Sequence, residues 1–243
     1  MATEEYTISR LRTRVAGLDD LLAGGLPENS QNLIAGTLSS GKTLLSFEIL
    51  YRNAVAGIPC SFITIDQTVK DVLKEVTGAM PSLDCGKVMK AKLLNVAEIQ
   101  MDSEFSSRES FLMFLSNVIN AARSNSSKLI AIDSISLMRA LFENNRSFTR
   151  SLNFMVESLK YAELTTVIVT ETASKVQAKV PGLFEESMFD NVLRLKNYRE
   201  NNIVKHKIAA VKMRYAPMKA GYASMEITPD GIVIGGIVND EDG

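Results

Sequence analysis

Residues Gly36–Thr43 read GTLSSGKT, a match to G-x-x-x-x-G-K-[ST]. Each piece of that pattern has a physical use. Glycines at 36 and 41 let the backbone turn so that successive N–H groups point inward. The helix that follows adds the partial positive charge of its N-terminus. Lys42 is then placed to reach the β- and γ-phosphates of a nucleoside triphosphate, and Thr43 to give its hydroxyl to Mg²⁺. The candidate phosphate-binding residues are Gly36, Thr37, Leu38, Ser39, Ser40, Gly41, Lys42, Thr43 and Leu44. The flanking sequence supplies the required context. QNLIA (Gln31–Ala35) has the apolar character of a buried strand. TLLSFEILYRNAVA (Thr43–Ala56) carries apolar residues at helical spacing and stops at Gly57-Ile58-Pro59.

Carboxylates at the ends of other apolar runs complete the candidate site. LIAID ends on Asp133, at the sheet edge where open α/β sheets bind ligands. Two roles fit Asp133: holding a metal through water, or capping the next helix. SFITI is followed by Asp66 and Gln67. Asp66 is placed to orient an attacking water, or to cap the helix that begins near Val69. Glu171, just past TVIVT, sits at a fourth strand tip, where it either senses the nucleotide or is simply exposed.

The remaining composition narrows the chemistry. With two cysteines, Cys60 and Cys85, and one histidine, His206, neither a His/Cys metal site nor a His-based nucleophilic triad is expected. His206 lies in a charged stretch and reads as a solvated surface residue. Charges nearly balance, with 27 Lys+Arg against 28 Asp+Glu, so nucleic-acid binding is restricted to a local patch. The start, MATEEYTISRLRTR, has no apolar core of a secretion signal, and no apolar run is long enough to span a membrane. The expectation is a cytoplasmic chain without membrane insertion.

Stepping along the 243 residues, strands alternate with helical segments. Strands are expected at Gln31–Ala35, Ser61–Ile65, Ala91–Val96, Leu129–Ile132 and Thr166–Thr170. Helices are expected at Thr43–Ala56, Val69–Val76, Ser107–Ser124 and Phe148–Leu164. This predicts an α/β fold, one domain over residues 1–243, with a mostly parallel sheet flanked by helices. Val192–Lys196, Lys207–Arg214, Ala223–Thr228 and Gly231–Val238 lack intervening helices, so they are expected as antiparallel strands at the sheet edge.

These residues in this order resemble the RecA-like P-loop ATPases, and specifically their KaiC-like branch with its archaeal recombinase-paralogue and archaellum-associated relatives. The resemblance covers nearly the whole chain. VAGLDDLLAGGLPENSQNLIAG (Val15–Gly36) is similar to the opening segment of that branch, and the stretch Val192–Ile234 to its C-terminal signature. It implies a RecA-like core, ATP and Mg²⁺ as ligands, and a homo-oligomer, ring or filament. It also implies that Lys212 and Arg214 form the K-x-R pair that reaches the neighbouring subunit's γ-phosphate. The family usually ends its second strand in two glutamates. Here Asp66-Gln67 stand instead, which points to a slow ATPase or to a nucleotide-dependent assembly or regulatory module. Leu38-Ser39-Ser40 likewise replace the common proline and inner Gly-Thr. The catalytic candidates are therefore Asp66, Gln67, Lys42, Lys212 and Arg214, and the metal candidates Thr43 and Asp133.

Val192–Ala220 holds eight basic residues, Arg194, Lys196, Arg199, Lys205, Lys207, Lys212, Arg214 and Lys219, against the single acid Glu200. It reads as a subunit interface, as a surface for single-stranded DNA or RNA phosphates, or as a solvated edge. In recombinases the DNA-contacting loops would correspond to Ser136–Phe148, with Arg139 and Arg146, and Ala173–Glu186, with Lys175 and Lys179.

Overall fold

The computed structural model describes residues 8–101, 107–172 and 183–238. In chain order, β1 (Arg10–Leu11), α1 (Leu18–Leu21) and β2 (Leu26–Pro27) form an N-terminal cap. Then follow β3 (Gln31–Gly36), α2 (Lys42–Val55), β4 (Cys60–Thr64), α3 (Val69–Ala79), α4 (Cys85–Lys90) and β5 (Leu94–Glu98). The middle of the chain gives α5 (Arg108–Ser124), β6 (Leu129–Asp133), α6 (Ile135–Leu141), α7 (Asn145–Tyr161), β7 (Thr165–Glu171) and α8 (Leu183–Glu186). It ends in β8 (Asn191–Glu200), β9 (Ile203–Met213), β10 (Tyr222–Thr228) and β11 (Gly231–Val238).

Nine of these strands form one sheet, in the order β11-β10-β9-β8-β3-β7-β6-β4-β5. From β8 across to β5 every pairing is parallel, and β8 through β11 pair antiparallel. The α/β, RecA-like architecture expected from the sequence is the observed one.

The central strands are apolar throughout because both faces are covered. Ile34, Phe62, Leu129, Ala131, Val167 and Val169 face a core built with α1 to α4. Their neighbours Leu33, Ala35, Ile63, Ile130, Ile132 and Ile168 face a second core built with α5 to α7. This is the period of two expected of a strand, with both phases apolar.

Two sequence expectations shift. Ala91 caps α4 rather than opening a strand, and β5 starts only at Leu94, after a left-handed turn at Lys92 (φ 58°). The stretch Ser136–Phe148 is not one loop. It holds most of α6 and the start of α7, because Ile135 and Met138 bury themselves on the sheet. Within α5, Phe111, Phe114, Leu115, Val118 and Ala122 are buried, while Leu112 is 40% exposed. Residues 173–182 of the second expected nucleic-acid loop, with Lys175 and Lys179, lie outside the described residues.

The C-terminal hairpin is tied to α2 by one buried carboxylate. Glu48 accepts a hydrogen bond from the Ile232 N–H at 2.6 Å and pairs with Arg52 at 2.8 Å, and Arg52 also reaches the Asp230 carbonyl. Burial pushes the Glu48 carboxyl above its ordinary value, and the Ile232 N–H and Arg52 oppose that shift. Glu48→Ala leaves the Ile232 N–H and the Arg52 guanidinium without this partner. It is expected to cost about 1–3 kcal/mol in urea unfolding, the range for stranding a buried polar group.

Candidate nucleotide site

The site lies where the parallel strands end. Register brings their tips level: Gly36 of β3 pairs with Glu171 of β7, and Thr64 of β4 with Asp133 of β6. The loop between β3 and α2 wraps over this edge. Gly36 is required by space, since a Cβ there would lie 2.6 Å from the Ser40 hydroxyl and 2.7 Å from the Leu195 carbonyl. Gly41 is required by conformation. It is the N-cap of α2 at φ 87°, a left-handed geometry that β-carbons disfavour. Ser39 also takes positive φ, at 57°. The Asn197 side chain of β8 supports the loop by donating to the Leu38 carbonyl at 3.1 Å.

A cleft of about 260 Å³ forms beneath this loop. Leu38 through Thr43 line it, together with Asp66, Gln67, Glu75, Asp133, Ser134 and Glu171. Sequence reasoning thus named most of the lining. Within it, Lys42 Nζ donates to the Thr37 carbonyl at 2.7 Å. Burial lowers the Lys42 pKa, and the carboxylates of Glu171, Asp133, Asp66 and Glu75 counter that shift. The Thr43 hydroxyl and Lys42 both favour the ionised form of the Asp133 carboxylate. Burial nevertheless pushes the Asp133 pKa up to about 6, with Asp66 and Glu75 adding to the rise. Ser134 donates to Asp66 Oδ2 at 3.2 Å, so the tips of β4 and β6 are joined by side chains as well as by backbone.

Two candidates behave differently from expectation. Leu44 is 7% exposed, and its side chain belongs to the core. Only its backbone N–H, one of the helix's unpaired first-turn donors, is available to a ligand. Ser40 is buried, and its hydroxyl has no hydrogen-bond partner among the described residues. Glu75 was not singled out from the sequence. It lies eight residues past Gln67 on α3, and placing α3 against the strand edge is what brings it to the cleft.

Lys212 and Arg214 are at the opposite end of the sheet. Asn191 of β8 pairs with Met213, and Asp190 accepts from both the Gln31 N–H (3.0 Å) and Arg214 (2.9 Å). Gln31 opens β3 and Gly36 closes it, five residue steps or about 17 Å apart. These cations therefore serve no phosphate bound by their own chain's loop. Lys212 Nζ donates to the carbonyls of Glu186, Ser187 and Phe189 at 3.2, 2.9 and 2.6 Å. A second cleft, about 530 Å³, opens beside Arg214 and the α7 side chains Arg146, Arg150 and Lys160.

The basic segment is largely engaged within the fold. Arg194 pairs with Glu186 at 2.6 Å and Lys205 pairs with Glu200. Lys207 is buried (1% exposed) and stands over the rings of Tyr198 and Tyr222. Lys196 also stands over Tyr222, while Arg199 and Lys219 are exposed. Arg139, expected on a nucleic-acid loop, pairs instead with Glu185 at 2.9 Å. His206 is not a freely solvated residue. It is half-buried, its Nδ1 lies 2.8 Å from Asn197 Oδ1, and burial lowers its pKa.

A phosphate loop between β3 and α2, with carboxylates on the neighbouring strand tips, defines a nucleotide-binding P-loop ATPase of RecA type. A family model described as "ATPase: KaiC" matches residues 11–238, and the chain belongs to that family. Similar curated proteins are circadian clock oscillator proteins KaiC. That of Picosynechococcus sp. is 26% identical over 232 residues, 93% of this chain and 44% of that protein. That of Synechococcus elongatus is 26% identical over 236 residues, 96% and 45% of the two chains. That of Parathermosynechococcus lividus is 27% identical over 232 residues, 93% and 42%. The chain spans less than half the length of these relatives. No helix among the described residues is long and apolar enough to cross a membrane.

Asp133 generates a stability prediction. Its folded pKa of about 6 lies above the ordinary 3.8, so the ionised form costs stability. That cost is absent below the lower value, grows between the two and is complete above the higher one. Asp133→Asn is expected to raise the Tm of the nucleotide-free protein at about pH 8 and to raise it less as pH falls toward 4. Thermal unfolding at several pH values checks this.

Proposed function

We propose that the chain forms a single ATPase domain, residues 1–243, that hydrolyses Mg²⁺-ATP slowly and acts as a homo-oligomer. The observation carrying this reading is the convergence of Lys42, Thr43, Asp66 and Asp133 on one cleft beneath the phosphate loop. In this reading the loop N–H groups and Lys42 bind the β- and γ-phosphates. Lys42 then exchanges the Thr37 carbonyl for phosphate oxygen, a stronger, charge-assisted partner.

Thr43 and Asp133 would hold Mg²⁺, the threonine directly and the carboxylate through water. Both oxygens line the cleft, and hydroxyl and carboxylate oxygens suit a hard cation. When bound, Mg²⁺ neutralises charge on the β- and γ-phosphate oxygens.

Asp66 and Gln67 orient the attacking water in line with the γ-phosphate. Asp66 keeps one carboxylate oxygen on Ser134, which leaves the other for water. Lys212 and Arg214 act on a neighbour's nucleotide, since their place at the far edge bars a role in their own site. A helical filament and a closed ring both present that edge to another copy. On that neighbour's nucleotide the two cations would stabilise charge in the transition state.

A second reading is a nucleotide-dependent assembly or regulatory module in which hydrolysis is incidental. Gln67 favours it, because a carboxamide cannot take a proton from water. Both readings are tested by ATP turnover with Mg²⁺ over a protein concentration series, with Lys42→Ala as the blank. Specific turnover is expected to rise with protein concentration, and Arg214→Ala to lower it by on the order of 10³, as for other arginine fingers. Bound ATP with no turnover above the blank would select the regulatory reading. Wild type that binds no ATP would overturn both.

A further inference from the structure

Gln67 is held by its backbone and by one end of its side chain. The Thr64 hydroxyl donates to the Gln67 carbonyl at 2.9 Å and accepts from the Gln67 N–H at 3.2 Å. Gln67 Nε2 donates to Glu75 Oε2 at 3.4 Å. Gln67 Oε1 is buried and has no hydrogen-bond partner among the described residues. Both side chains line the nucleotide cleft.

From this arrangement we infer that Glu75 is a positioning residue for hydrolysis, fixing the Gln67 carboxamide so that its oxygen accepts from the attacking water. A carboxamide can present either end to a given direction. An ionised carboxylate only accepts, so Glu75 selects the amide nitrogen for itself. The oxygen is then left unpaired on the other side of the group. A water donating to that oxygen supplies its missing partner. Glu75 belongs to this edge electrostatically too, since its charge acts on both Lys42 and Asp133.

The chemical step is unchanged by this arrangement. The water oxygen bonds to the γ-phosphorus, the bond to the β–γ bridging oxygen breaks with its electron pair leaving on ADP, and both water protons leave on the phosphate product, which then releases one to solvent. Glu75 contributes orientation and takes no proton. In this way a carboxylate eight residues further along the chain restores part of what a second glutamate at position 67 would supply. The inference rests on the hydrolytic reading of the site.

The test is steady-state ATP hydrolysis by the full chain, comparing wild type, Glu75→Ala, Gln67→Ala and the double variant. Glu75 is exposed on a helix surface, so Tm should not move. Glu75→Ala is expected to lower kcat by about tenfold, within the coupling range of hydrogen-bonded neighbours, with KM for ATP unchanged. The double variant should then be no slower than Gln67→Ala alone. In the Gln67→Glu background the sign should reverse, because Glu75→Ala there removes a like charge and raises kcat. An unchanged kcat in Glu75→Ala, or an equal loss with and without Gln67, would overturn the positioning role while leaving the ATPase reading intact. Wild-type turnover no higher than the Lys42→Ala blank would overturn the hydrolytic reading and this inference together.

Discussion

The parallel register of β3, β7, β6 and β4 is the constraint on which the site depends. It sets Gly36 beside Glu171 and Thr64 beside Asp133, so one sheet edge collects a glycine turn and several carboxylates. A slip of one residue in any strand would turn its tip side chain to the opposite face. The register is held because both phases of each strand are buried, in two separate cores. Ile34 and Leu33, or Phe62 and Ile63, cannot exchange faces without losing packing on both sides. The electrostatic cost of gathering Asp66, Glu75, Asp133 and Glu171 around Lys42 is thus carried by apolar burial behind the edge. Burial chiefly raises the Asp133 pKa, and Asp66 and Glu75 add to that rise.

A second consequence follows from where the sheet changes sense. β8 runs parallel to β3, and β9 returns antiparallel, so the end of β9 arrives at the edge away from the phosphate loop. There Asp190 ties the start of β3 to Arg214, and the carbonyls of Glu186, Ser187 and Phe189 gather Lys212. The chain therefore carries its phosphate-binding loop at one end of the sheet and a cation pair at the other. Both heads reach the same Glu186–Asp190 turn, as residues at i and i+2 on one strand face should.

Local chemistry made much of this legible in advance. GTLSSGKT has a steric reason at each end: Gly36 must pass close to Leu195, and Gly41 must adopt positive φ. Apolar runs ending in Asp66, Asp133 and Glu171 marked strand tips correctly, because burial on both faces leaves an unmistakable pattern. The hairpin joining Ala223–Thr228 to Gly231–Val238 was equally plain, because no helix separates the two apolar runs. By contrast, α6 was missed because its burial depends on the facing sheet rather than on its own short sequence. The basic segment looked like a surface patch because sequence displays charge and hides partners. Glu186, Asp190 and the tyrosine rings absorb much of it.

Sequence alone determined the phosphate loop, the alternation of the main strands and helices, and the identity of the acids at the strand tips. These depend on residue type and on spacing within a few positions, where sterics and hydrophobic period act directly. Tertiary structure alone decided that Ser134 engages Asp66, that Glu75 joins Gln67, and that Lys212 and Arg214 stand a strand's length from their own loop. Each of those facts depends on which strands lie side by side and on how far a helix tilts back over their ends. Such distances are set by packing between residues remote in the chain, and no local pattern encodes them.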